Sequence, residues 1–125
     1  MRTQIFAAVM FLLPTVALAD EIPADLQVKL QQAMLKHLDE VMVDGAYTYV
    51  DTKERSADTI YMANIHPMII QFGDGYFVCS EMVDGQGKNR TADFLVRPIR
   101  GEYRVVQMIV NDRDAVTAAM SKPSR

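Results

Sequence analysis

The chain has 125 residues, half of them hydrophobic, with 13 basic and 16 acidic side chains and a formal net charge of −3. That is one domain's length, enough to bury a core without disulfide or metal staples. Mild acidity supplies neither the basic footprint that nucleic-acid phosphates require nor a polybasic patch for anionic lipid, and the single cysteine, Cys79, cannot form an internal disulfide.

The chain opens on Arg2, then an apolar run from Ile5 to Leu13, then Pro14 and the small-residue ending Ala17-Leu18-Ala19. A charged start, an apolar middle and an A-x-A site are the marks of a secretory signal peptide. Residues 1–19 are therefore expected to be removed after Ala19, leaving residues 20–125 as a single periplasmic or secreted domain. A spanning helix needs about 20 apolar residues, and Pro14 and Asp20-Glu21 break this run too early. Cys79 is far from the cut, so lipidation there is excluded. No membrane attachment is expected after cleavage.

Residues 24–42 predict a helix. Leu26, Leu30, Ala33, Met34, His37, Leu38 and Val41 recur at spacings of three and four, Pro23 suits the first turn, and Asp44-Gly45 supplies the stop. After Gly45 the period changes to two, predicting strands near 46–51, 58–65, 67–72, 76–82, 91–97 and 103–110. The second and third are nearly continuous, with His66-Pro67 as the bend. Turn chemistry falls at Gly73-Asp74-Gly75, at 84–89 and at 98–101. A short helix over 112–120 completes the chain. The expected class is α+β: an amphipathic N-terminal helix packed on a bent antiparallel sheet of five or six strands, with a short C-terminal helix.

Pairing centred on Asp74 sets Phe72 opposite Tyr76 and Ile70 opposite Val78. Pairing centred on Arg100 sets Phe94 opposite Val106 and Ala92 opposite Met108. The helix-facing side then holds Met68, Ile70, Phe72, Tyr76, Val78, Met82, Ala92, Phe94, Val96, Val106, Met108 and Val110. The other side mixes apolar residues with charges that pair, such as Asp93 with Arg97. A sheet face left to water is mostly polar, so this face is either covered, by the C-terminal helix or the Tyr47–Met62 hairpin, or it binds something. Phe77, Leu95, Tyr103 and Val105 mark it as the candidate interface for a protein partner or a homodimer.

A helix followed by an antiparallel meander over most of residues 20–125 resembles the cystatin-like and NTF2-like rolls in architecture. The resemblance implies a helix cradled by a bent sheet. It brings no inhibitory residues, because Met82-Val83-Asp84-Gly85 does not match the Gln-x-Val-x-Gly loop, and fold alone transfers no function.

Candidate chemistry is sparse. His66 titrates in the range of acid–base work and, with Tyr61 and Asp58, is the candidate catalytic group of a pocket-containing enzyme. His37, on the helix's apolar stripe, reads as a hydrogen-bonded boundary residue. Cys79, mid-strand, reads as a buried inert thiol; with His66 and the scattered methionines it forms the alternative of a metal or redox protein. The 84–89 segment reads as a hairpin turn rather than a calcium loop, since Gly87-Lys88 stands where oxygen ligands are needed. Asn89-Arg90-Thr91 is a glycosylation sequon, relevant only in a glycosylating host. Nothing calls for a cofactor or metal. The leading expectation is a small exported binding or interaction protein without enzymatic activity.

Overall fold

The computed structural model describes residues 21–63 and 68–122. The signal-peptide expectation for 1–19 and the placement of His66 lie outside the described residues. Helix α1 runs Ala24–Val41. Six strands follow: β1 Ala46–Asp51, β2 Ser56–Met62, β3 Met68–Phe72, β4 Gly75–Asp84, β5 Asn89–Ile99 and β6 Glu102–Val110. Helix α2, Arg113–Ser121, comes last. The fold is α+β, as the change of hydrophobic period at Gly45 predicts.

All strand pairings are antiparallel. The sheet runs β1-β2-β4-β5-β6, and β3 pairs with β4 beside the β2 contact. The C-terminal end of β4 takes Ile60–Met62 of β2, and its N-terminal end takes Met68–Phe72 of β3, so β2 and β3 share one edge. The sheet curls around α1. Leu30, Ala33, Met34 and Leu38 pack onto Tyr49, Ile60, Val78, Met82, Ala92, Phe94 and Val96. Each such side chain taken out of water contributes about 1.5–3 kcal/mol, so this layer dominates stability.

The tight turns set the register, and three of them differ from expectation. Helix α1 stops at Val41, with Met42 extended, before Asp44-Gly45. That dipeptide, with φ of 52° and 76°, forms a two-residue hairpin turn in which Val43 and Ala46 exchange both backbone hydrogen bonds. The β3–β4 turn holds two residues, Gly73-Asp74, not three. Gly73 alone has positive φ, and Phe72 already faces Gly75. Gly75 belongs to β4, where Val96 O would lie 2.5 Å from a Cβ, a distance only glycine tolerates. One residue's difference flips β3: Ile69, opposite Val78, joins the helix side, while Met68, Ile70 and Phe72 move to the other face.

The β5–β6 turn is likewise two residues, Arg100-Gly101, both at positive φ. Tyr103 then faces Pro98 and Val105 faces Val96, which turns both toward α1. A bulge follows: Val96 faces Val105 but Leu95 faces Gln107, leaving Val106 as the extra residue, 44 % exposed. Beyond it Phe94 faces Met108 and Ala92 faces Val110, both helix-side.

Candidate functional site

The second sheet face is covered by the chain itself. Phe77, 2 % exposed, packs with Cys79 and Val116 of α2, and Ile70, Phe72, Leu95, Ile109 and Met120 surround them. Of the four expected interface residues, Phe77 and Leu95 lie here, whereas Tyr103 and Val105 lie on the α1 side. The four do not share a face, because the Arg100-Gly101 turn is one residue shorter than the pairing around Arg100 assumed.

What seats α2 is a buried ion pair. Asp93 is fully buried beneath it, and Arg113, in its first turn, reaches both carboxylate oxygens (2.8 and 3.3 Å) while also donating to the Ser80 carbonyl. The Asp93 carboxylate holds the Arg113 guanidinium in its charged form. Arg97, the expected partner of Asp93, pairs instead with Asp74 in a two-pronged contact near the β3–β4 turn. Asp112 caps α2, accepting from Ala115 N–H at 3.3 Å. Cys79 sits against Asp93, and burial, with that carboxylate second, pushes its thiol up to about 12. A thiol held neutral is a poor nucleophile and a poor metal ligand. Met68 lies opposite Cys79 across the β3–β4 ladder and is 56 % exposed.

The other sequence candidates do not converge. Tyr61 and Asp58 lie three residues apart on β2, so they face opposite sides of the sheet. Asp58 points inward, 4.0 Å from Arg90, and Tyr61 points outward, half-exposed. His37 is half-buried with its ring edge-on to Phe94 at 6.3 Å. Among the described residues no three His, Cys, Asp or Glu side chains gather in a metal-holding arrangement. Asp84 spends one oxygen on its own turn, accepting Gln86 N–H and Lys88 N–H at 2.9 Å each, and the other on Arg90.

A site that the sequence reading missed lies between the two ends of the sheet. Among the described residues β1 pairs with no strand but β2, and β6 with none but β5, and the curl brings their other edges to face each other across a cleft of about 620 Å³. Its walls include Tyr47, Thr48, Tyr49 and Val50 from β1 and Gln107, Met108, Ile109 and Val110 from β6. Residues of both parities line each wall, so the cleft is a gap between strand edges and not a hollow on one face. Asn111 Nδ2 donates to Asp51 Oδ2 at 3.1 Å, and Lys53 lies 3.6 Å from Asp112; together they clasp one end.

The backbone phase of the edges follows from two contacts. Ala46 spends both backbone groups on Val43, so in the alternation of an antiparallel ladder Thr48 and Val50 also turn theirs away from β2, toward the cleft. Asn111 N–H donates to Thr91 O, so Met108 and Val110 turn theirs away from β5. Inside, the Tyr49 hydroxyl is buried without a hydrogen-bond partner among the described residues. Burial first, then the carboxylates of Asp58 and Asp51, raises its pKa. The sequence signal for this site was the position of these strands as first and last of the meander; the curl that sets them face to face was not written in any local pattern.

Compared with known proteins, the chain matches no family model, no curated protein and no solved structure.

Proposed function

We propose that the protein is a small exported binding protein, acting in the periplasm or outside the cell, and that its contact site is the β1–β6 cleft. The export reading rests on the Arg2 to Ala19 leader. The binding reading rests on one observation: two strand edges, with the backbone groups of Thr48, Val50, Met108 and Val110 aimed into a shared gap. Unpaired edges are a hazard that folded proteins usually blunt. Here the apolar walls Tyr47, Tyr49, Met108 and Val110 stand beside backbone donors and acceptors that no described residue takes up, the combination that a specific polypeptide or small-molecule site requires. A non-enzymatic role is favoured because the thiol is held neutral and Asp58 and Tyr61 diverge across β2.

Ala115, the α2 residue on the cleft wall, is the place to block it. Binders selected from a random peptide library on the protein are expected to lose about tenfold or more in affinity on Ala115→Trp, one large side chain displacing what the cleft holds. Binders indifferent to that variant would refute the site.

A further inference from the structure

Strand direction makes the cleft selective. Four successive antiparallel pairings along β1-β2-β4-β5-β6 return the chain to its starting direction, so β1 and β6 run parallel to each other. A strand that ran antiparallel to both would continue the alternation on each side and close the barrel. Resting on the reading of the cleft as the binding site, we infer that its occupant is one extended polypeptide segment of another chain. It enters between β1 and β6, antiparallel to both, with apolar side chains turned inward at alternate positions.

The occupant must have both edges free, since both walls offer backbone groups. A folded second copy cannot supply such a strand, because every described strand already spends at least one edge on a neighbour. Nor does an apolar small molecule answer the donors and acceptors of Thr48, Val50, Met108 and Val110; left unmet, each would cost what a buried unsatisfied group costs. The inward walls are Tyr47, Tyr49, Met108 and Val110, while Thr48, Thr52 and Gln107 face outward. An alternating segment fits that division.

Charge fixes the end. Among the described lining residues the one charged side chain is Asp112, at the clasped end where β1 and β6 finish. An antiparallel segment begins there, so its N-terminal residue sits beside this carboxylate and a cation is favoured at that position. Asp112 is paired with Lys53, itself half-exposed, and the incoming cation takes over that contact.

The test uses a panel of hexapeptides of pattern Lys-x-polar-x-polar-x, with x drawn from Val, Leu, Tyr and Phe, titrated by fluorescence anisotropy onto the protein. At least one member binds, and the reversed order of that member binds about tenfold more weakly. Two further versions of it, N-methylated on odd or on even residues, each block one backbone edge, and both lose binding. Asp112→Asn weakens the parent peptide; asparagine caps a helix as well as aspartate does, so α2 stays in place. Equal binding of the reversed peptide overturns the antiparallel direction. Full binding by either methylated version means that one edge suffices, and overturns insertion between two. No binding by any panel member overturns the polypeptide occupant. In each case the cleft itself stands or falls separately, on whether library-selected binders respond to Ala115→Trp.

Discussion

Asp93 is the most consequential single side chain on the covered face. It is fully buried and its charge is met by Arg113, whose own side chain is 37 % exposed. Removing one partner of a buried pair strands the other. Arg113→Met is therefore expected to cost about 3 kcal/mol in urea unfolding, the low end for a buried pair because Arg113 keeps contact with water. Replacing both, Arg113→Met with Asp93→Leu, should recover most of that loss. The pairing could not be read from the sequence. Asp93 and Arg97 share a strand face and looked like natural partners, but Arg113 arrives from α2, beyond β6, and only the chain reversal at Asn111, with φ of 56°, delivers it.

Among the elements, α2 is short and buries only Val116 fully, yet it roofs Phe77 and Cys79. Native Cys79 should stay unreactive toward a disulfide reagent at pH 8, where its thiol remains protonated, and react at once when urea unfolds the chain. A fast native reaction would mean that α2 opens readily. Element identities were legible because period-2 and period-3.6 patterns survive any error in turn length. Register was not. Gly73-Asp74-Gly75 carries glycine on both sides of the reversal, and composition does not say whether Gly75 sits in the turn or opens β4. The close approach of Val96 O, from a strand some twenty residues away, decides it. Val106 escaped for a similar reason: Val105 and Val106 carry the same side chain, and nothing local says that the ladder skips one residue there.

For the molecule as a whole, acid is the expected weakness. Asp51 is held below the usual carboxylate range by Glu54 N–H and then by Asn111, Asp84 by the backbone of Lys88 and Gln86, and Asp74 by Arg97. A depressed folded-state pKa stabilises the fold fully above the unfolded value of about 3.9, and that stabilisation is lost as pH falls through the folded values. The Tm should thus hold near neutrality and drop steeply below about pH 4. Asp84→Asn, which keeps an oxygen to accept from the turn, should flatten the drop at the expense of Tm at pH 7. A Tm that falls equally in both proteins would place the acid sensitivity elsewhere. Asp51 and Asp84 hold the two long hairpin turns, and Asp51, through Asn111, holds the clasp between the ends of the sheet.

The Asp44-Gly45 turn couples the roof of the barrel to its open side. It allows no slack: α1 ends at Val41, Met42 packs into the core, and Val43 is already bonded to Ala46, the first residue of β1. Any displacement of β1 outward must pull on the last turn of α1, and through Leu38 on the whole apolar interior. A guest wedged beside Val50 would therefore be felt as tension in the helix, on the far side of the wall it had entered.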